Sequence, residues 1–272
     1  MCCGFAFQYP DAPWRSFFAK PGGLLGGLGR CSPQAYLITR IVFFFVWLAC
    51  VIWSSISWVE VEGRGYGFWW IKLTHWAAII ELVYLGFGAF STYQAIYSPV
   101  VDGKDEDAPL FATVTWFLGS VIWVASLMVV VIYWAAVFEP GPGKPTAIQI
   151  LTHGGNFILV WEDNLLSRLP YRWYQIYAPA LFSVVYVAFS KVYYLAGGTD
   201  WNGAHYIYKI IDWSDPVAAW KVVAGLLFVG LPSFFGLFLL VVAIRTCCFK
   251  QAQERVGAEH GAQGQHSLLQ VA

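Results

Sequence analysis

Charge is scarce in this chain of 272 residues: Asp, Glu, Lys and Arg make up 12% of it, and their formal charges cancel. Soluble domains contain about twice that share of charged residues. Zero net charge gives no basic surface for nucleic acid, so that class of partner is excluded. The chain also lacks CxxC, HxxH and HExxH spacings. We therefore predict neither a bound metal nor another cofactor.

Apolar residues take the place of charge, with 58% hydrophobic and 19% aromatic residues. A bilayer core about 30 Å thick needs roughly 20 mostly apolar residues in a helix. Six stretches approach this length: Ala35–Val59, Trp70–Tyr97, Thr113–Phe138, Ala147–Ser167, Tyr174–Ala196 and Ala218–Ile244. The fourth is the most polar of them. The sequence predicts an all-α polytopic membrane bundle over residues 35–245, between an N-terminal segment (1–34) and a disordered tail (246–272).

Orientation follows from the basic residues, because Lys and Arg gather on the cytosolic side of membrane proteins. With six spans, ten Lys and Arg lie at the end that holds both termini and five at the other end. We therefore expect both termini in the cytosol, with either the plasma membrane or the endoplasmic reticulum as the membrane. The aromatic connection over residues 197–217 would then cap the outer surface.

The cysteines do not suggest a disulfide framework, because five of the six fall on the predicted cytosolic side. Two adjacent pairs, Cys2-Cys3 and Cys247-Cys248, flank the membrane region. Such pairs are sometimes S-palmitoylated, but they can equally be plain small apolar residues. The sequence leaves both interpretations open.

Polar residues inside the apolar runs are costly in lipid and must face other helices or a wet cavity. Those of the fourth run recur at steps of three and four, with Val160 filling the one gap: Gln149, His153, Asn156, Asp163 and Ser167. They therefore share one helical face. In the second run, Thr74, Glu81 and Gly88 are seven residues apart and share another face. Both faces are predicted to point into the bundle.

Three polar groups fall at similar depth below the outer surface: Thr74 at roughly 6 Å, Lys191 near 8 Å and His153 near 9 Å, at about 1.5 Å per residue. A threonine hydroxyl becomes a nucleophile when a neutral histidine takes its proton. The Asn156 amide or the Lys191 ammonium could then stabilise the oxyanion. Thr74 and His153 are therefore the candidate catalytic pair for acyl transfer from a lipid ester.

Simpler interpretations exist for each of these residues. A threonine in a membrane helix commonly bonds its own backbone or a neighbouring helix. Glu81 and Lys191 could form a buried ion pair, and Asp163 could face water at the cytosolic end of its span. In that case the polar layer serves packing alone.

Four segments of the chain resemble the rolling stone family of multi-pass membrane proteins. They are Trp70-Ile-Lys-Leu-Thr-His-Trp76, Thr152-His-Gly-Gly-Asn156, Leu169-Pro-Tyr-Arg172 and Tyr208-Lys-Ile-Ile-Asp-Trp213 followed by Pro216. The resemblance covers most of residues 14 to 245. It implies a polytopic membrane protein, of a family implicated in myoblast fusion in insects.

The chain is also distantly similar to the androgen-induced gene 1 and androgen-dependent TFPI-regulating proteins, which are membrane hydrolases of fatty acid esters of hydroxy fatty acids. This resemblance implies a catalytic threonine at Thr74 and a catalytic histidine at His153. Two functions of different class are therefore expected: a threonine-dependent hydrolase acting on membrane lipid esters, or a non-enzymatic membrane protein that supports cell fusion or adhesion.

Overall fold

A computed structural model describes residues 13–22, 32–60, 63–99 and 108–269, and within these residues all regular structure is helical. Six long helical segments, α1 to α6, follow one another along the chain. They are α1, Pro33–Glu60; α2, Leu73–Tyr97; α3, Leu110–Ile132 with a π turn Tyr133–Val137; α4, Ala147–Ile150, a π turn Leu151–Gly155 and Asn156–Leu166; α5, a 3₁₀ turn Trp173–Ile176 and Tyr177–Leu195; and α6, Pro216–Gly225, a π turn Leu226–Gly230 and Leu231–Leu269. Three short helical turns, Arg15–Phe18, Gly67–Trp70 and Lys209–Ile211, lie outside these segments.

Five of the six segments are long and apolar enough to cross a membrane, namely α1, α2, α3, α5 and α6. The segment α4 fails this criterion because its inward face is polar, yet its contacts reach both ends of the bundle. Near its start, His153 stacks on Tyr133 at the end of α3. Near its end, Asp163 pairs with Arg40 at the start of α1. The predicted all-α membrane bundle is confirmed, and α4 crosses it among the other helices.

A buried ion pair ties α1, α2 and α4 together at the end of the bundle where α1 begins. Arg40 donates from Nε to Oδ1 of Asp163 at 2.9 Å and from a second nitrogen to Oδ2 at 3.2 Å. The same guanidinium donates to the Gly88 carbonyl and to the Thr92 hydroxyl of α2, and the Tyr84 hydroxyl donates to Asp163. Arg40 and Asp163 are each 1% exposed. Asp163 therefore faces the bundle, and not water.

A second arginine, Arg245 of α6, is buried at the same end. It donates to the backbone and side-chain oxygens of Asn164 in α4 and to the Leu169 carbonyl beyond it. Sequence counting placed Arg40 at the opening of the first span and Arg245 just after the sixth, among the ten basic residues of the predicted cytosolic side. In the structure, carboxylate and carbonyl partners in neighbouring helices satisfy both guanidiniums inside the bundle. α1 begins and α6 leaves the bundle on this side. That this side faces the cytosol stays a prediction.

The proposed Glu81–Lys191 ion pair is wrong. Glu81 is fully buried, and neither of its carboxylate oxygens has a hydrogen-bond partner within the described ranges of the chain. The Lys191 ammonium lies instead over the rings of Trp213 and Tyr194, at 4.7 and 5.2 Å from their centroids. Cation–π contact with interface aromatics therefore replaces the expected charge pair.

Parts of both flanking segments have a defined structure. In the N-terminal one, Trp14 and Phe18 are buried, and Arg15 donates to the Gln94 and Ser98 carbonyls at the end of α2. This part of the segment is packed on the bundle. At the other end α6 continues to Leu269, where the sequence predicts disorder; Ala, Gln and Glu in this stretch are good helix formers. Cys2 and Cys3 lie outside the described residues.

Candidate functional site

Thr74 lies in the wall of an apolar cavity of about 90 Å³. The cavity is enclosed by the start of α2, the end of α3, the middle of α5, the start of α6 and the connection that precedes α6. Its walls are mainly aliphatic and aromatic, and they include the hydroxyl-bearing residues Thr74, Tyr133, Ser183, Tyr186 and Tyr208. An apolar cavity with few polar groups is the usual form of a small-ligand site.

Among the described residues, the Thr74 hydroxyl makes no hydrogen bond to a backbone carbonyl of its own helix. Other buried threonines bond the carbonyl four residues earlier, as Thr92 does to Gly88 at 2.9 Å and Thr115 to Phe111 at 2.9 Å. Thr74 is the second residue of α2, and the residue before the helix, Lys72, has an extended backbone. The carbonyl of Trp70 is turned to another donor, the indole N–H of Trp76. Within the described part of the chain Thr74 makes no backbone bond of this kind, so the commonest structural role of a membrane threonine does not apply here.

Two tyrosines meet Thr74 at the polar side of the cavity. The Tyr208 oxygen accepts the backbone N–H of Leu73 at 3.1 Å, and Thr74 and Tyr186 line the cavity wall together with it. Tyr186 in turn donates to the Ile71 carbonyl at 2.8 Å. Burial raises the pKa of Tyr208, so its phenol is neutral at physiological pH. Three neutral hydroxyls therefore form one cluster at the start of α2.

His153 lies in the π turn of α4 and has a fixed ring orientation. Its Nδ1 is 3.0 Å from the Gln149 carbonyl and 3.0 Å from the Thr152 hydroxyl. A carbonyl only accepts, so Nδ1 carries the proton and Nε2 keeps the lone pair of a base. The ring stacks on Tyr133 with centroids 3.4 Å apart. The expected base therefore has a suitable tautomer.

Thr74 and His153 are not directly joined in the part of the chain that the structure describes. Thr74 lines the cavity with Tyr208, whereas the His153 ring bonds through Nδ1 within α4. Tyr133 lines the cavity and His153 does not. The catalytic pairing of these two residues stays a prediction, and Tyr133 packs against the ring of the proposed base.

Asn156 and Lys191, the two residues considered for oxyanion stabilisation, do not line the cavity. The Asn156 side-chain oxygen accepts the N–H of Phe157 at 2.6 Å within α4. Lys191 lies on the Trp213 side of α5. Neither residue is brought to Thr74, so their predicted roles gain no support from the geometry.

The sequence interpretation missed Tyr186 and Tyr208. Tyr208 lies in a motif that carried the family resemblance, but its position predicted only an aromatic residue at the membrane interface. Its hydroxyl reaches Leu73, which is 135 positions away in the chain. Sequence spacing alone offers no signal for such a contact.

Lys72 fixes the connection before α6 to the start of α2. Its ammonium donates to the Ile207 carbonyl at 2.8 Å and lies 4.9 Å from the centroid of the Tyr208 ring. Burial, opposed by Asp200 and assisted by Arg64, lowers the pKa of Lys72 from 10.5 to about 8. The Lys72 ammonium is thus partly desolvated where it joins the connection before α6 to the start of α2.

We expect Lys72 to make the folded state more stable as the pH rises from about 8 to 10.5. In this window the unfolded chain keeps the lysine proton while the folded chain releases it, so stability rises with pH; below pH 8 both states are protonated and the penalty is complete. In Lys72→Met this part of the pH dependence should disappear, as measured by thermal unfolding in detergent. Lys209→Met, at an exposed lysine, serves as control. An unchanged pH dependence in Lys72→Met would contradict the expectation.

Comparison with known proteins decides the family. The family model "Protein rolling stone" matches residues 34–262, which cover all six long helices up to the tail of α6. The chain belongs to the rolling stone family. It is similar to Protein rolling stone of Drosophila melanogaster, with 26% identity over 219 residues, covering 76% of this chain and 73% of the relative. No solved structure matches.

Membership of the rolling stone family confirms the resemblance seen in the sequence motifs, and it identifies the chain as a multi-pass membrane protein. The comparisons do not show the more distant similarity to the androgen-induced hydrolases.

Proposed function

We propose that this rolling stone protein holds the acyl chain of a membrane lipid in the cavity beside Thr74 and hydrolyses its ester. The position of Thr74 carries the proposal, since its hydroxyl lies at the wall of an apolar cavity and is not bonded to its own helix. An acyl chain suits the aliphatic and aromatic walls. A neutral lipid ester carries no charge that would need a counter-ion inside this cavity.

In the proposed reaction the Thr74 oxygen attacks the ester carbonyl while His153 accepts the hydroxyl proton. The proton then passes to the departing alcohol, and water hydrolyses the acyl-threonine to release the fatty acid. Proton transfer from Thr74 to His153 requires the Tyr133 ring to move aside or one water molecule to bridge the two groups. The Nδ1–H bond to the Gln149 carbonyl supports this role because it leaves Nε2 as the basic nitrogen.

A fluorophosphonate probe tests the proposal on purified protein in detergent. We expect wild type to be labelled, Thr74→Ala to be unlabelled and Thr74→Ser to retain labelling. His153→Ala should slow labelling by about 10²-fold or more, the usual contribution of a general base. Thr39→Ala is the matched control, since Thr39 is half-buried outside the cavity and its hydroxyl donates to the Ala35 carbonyl of its own helix. Absence of both labelling and lipid-ester turnover in wild type would contradict the proposed hydrolase activity.

A second candidate is a non-enzymatic membrane protein that supports cell fusion or adhesion. The observation that favours it is the lack of a hydrogen bond from Thr74 to His153 among the described residues, since the His153 ring bonds through Nδ1 within α4. On this alternative, wild type and Thr74→Ala are equally inert to the probe. Labelling that depends on Thr74 would exclude it.

A further inference from the structure

The cavity beside Thr74 is polar at one end and apolar at the other. Three tyrosines lie with Thr74 towards the end of the bundle where α2 begins: Tyr133, Tyr186 and Tyr208. Towards the middle of α3 the wall is apolar, formed by Ala125, Met128 and Val129. Such a cavity fits a molecule whose polar group is at one end only.

The level of Thr74 along α3 follows from the pairing of α2 with α3. These helices are antiparallel neighbours, and the Ser91 hydroxyl lies 3.1 Å from that of Thr115. Seventeen residues back along α2 lead from Ser91 to Thr74, and seventeen forward along α3 lead from Thr115 to Ile132. Thr74 therefore lies level with Ile132, which also lines the cavity.

The cavity is closed at its apolar end. Among the lining residues of α3, Ala125 is the farthest from Ile132, and the seven residues between these levels span about 10 Å at 1.5 Å per residue. The next turn of α3 carries Val121 and Ile122, which are buried and do not line the cavity. On α5 the first lining residue is Pro179. Packed side chains therefore close the cavity at a floor formed by Ala125 and Pro179.

The depth of this floor limits the length of a bound chain. An extended hydrocarbon chain advances roughly 1.3 Å per carbon, so about 10 Å below Thr74 holds about eight carbons. The cavity volume of about 90 Å³ agrees, since it holds roughly six to nine spheres the size of a water molecule, each comparable to one methylene group.

We infer that the cavity selects the ester of a medium-chain fatty acid of about eight carbons, with the ester group beside Thr74 and the chain end at the floor. Ala125 is the specificity-determining residue, because the size of its side chain sets the depth of the cavity. The inference rests on the proposed function in treating the cavity as the acyl-chain site, and it names the class of acyl chain. Binding of the chain does not require hydrolysis.

Photolabelling of the full chain in detergent tests the inference. The probes are methyl esters of pentanoic, octanoic and hexadecanoic acid, each with a diazirine on the penultimate carbon. Irradiation releases N₂, and the resulting carbene inserts into a neighbouring bond, so mass spectrometry locates the chain end. In wild type the octanoate should label residues 125–129 and 179–183. The hexadecanoate should label them about tenfold less, the usual effect of overfilling a packed interior.

Two details of the design exclude simpler explanations. Labelling is compared at equal mole fraction of probe in the micelles, which removes differences in partitioning between short and long chains. An octanoate with its diazirine beside the ester should label residues 73–74 and 132–137 instead of the floor, since the ester group is expected beside Thr74.

Variants at the floor assign the selectivity to Ala125. Ala125→Phe fills the floor with a ring, so octanoate labelling there should fall about tenfold, while the pentanoate should still label the cavity. Ala125→Leu should shift the preference in the same direction by less, and thermal unfolding shows whether each variant is folded. Val131→Phe is the matched control, because Val131 lies on the same helix, is 43% exposed and is outside the cavity. Its labelling should equal that of wild type.

Equal labelling of the floor by octanoate and hexadecanoate, labelling of the floor by the diazirine beside the ester, no labelling of the cavity by any probe, or an unchanged chain preference in folded Ala125→Leu would each overturn the inference. The outcome separates from that of the hydrolase test. Selective octanoate labelling of a protein that the fluorophosphonate leaves unlabelled supports the inference and contradicts hydrolysis. Fluorophosphonate labelling without chain-length selectivity contradicts the inference alone.

Discussion

Replacing Asp163 with alanine is expected to destabilise the protein by about 3–5 kcal/mol, the usual cost of removing one partner from a buried ion pair. Arg40 would keep its charge inside the bundle, where it is 1% exposed, and would lose two of its hydrogen bonds. The Tyr84 hydroxyl would lose its acceptor as well. Because these groups join α1, α2 and α4, the effect should appear in global unfolding.

Thermal unfolding in detergent, followed by the fluorescence of the 15 tryptophans, measures this loss. Glu162→Ala is the matched control, because Glu162 is the preceding carboxylate on the same helix and is exposed. The double variant Arg40→Met, Asp163→Leu should recover much of the stability, since it removes both charges and leaves neither unpaired. If Asp163→Ala is as stable as Glu162→Ala, the ion pair does not hold the bundle together.

Arg245→Met should cost about 2–4 kcal/mol, because it leaves buried acceptors without a donor. Arg245 is 4% exposed and donates to the two oxygens of Asn164 at 2.6 and 2.7 Å and to the Leu169 carbonyl at 2.6 Å. Methionine retains much of the packing volume and removes every donor. The contact between α6 and the end of α4 should therefore loosen.

Partial rescue by Arg245→Lys is expected, since an ammonium keeps the charge but cannot reproduce the planar fork that serves Asn164 and Leu169 together. Lys250→Met, at an exposed basic residue farther along α6, controls for the loss of a positive charge at this end of the bundle. Proteolysis of the folded protein near residues 166–172 gives a local readout. Equal stability of Arg245→Met and Lys250→Met would show that Arg245 acts only as a surface charge.

Parts of the candidate site could be predicted because they depend on local spacing. The steps of three and four in the fourth apolar run place Asp163 and Asn156 on one helical face, and both are buried in the bundle. The high cost of polar groups in lipid also marked Thr74 as a residue facing inward, and it is 8% exposed. These conclusions need only helix geometry and the low polarity of the bilayer.

Other parts depend on which helices are neighbours, and spacing does not encode this. Arg40 is 123 positions from Asp163, so no local pattern distinguished a buried partner from an interface residue. Equal depth placed Thr74 and His153 in one layer, but depth does not fix the rotation of a helix about its axis. That rotation stacks His153 on Tyr133 and places Thr74 in the cavity wall that Tyr208 also lines.

The sequence by itself determined that this is a helical membrane protein of the rolling stone type, because long apolar runs and family motifs are properties of the linear chain. It also determined which faces of α2 and α4 turn inward. Only the tertiary structure decided that Arg40 pairs with Asp163, that Lys191 lies on aromatic rings, and that Tyr208 bonds the Leu73 N–H beside Thr74. These contacts join segments distant in the chain, and the packing of whole helices sets their partners and the direction of their hydrogen bonds.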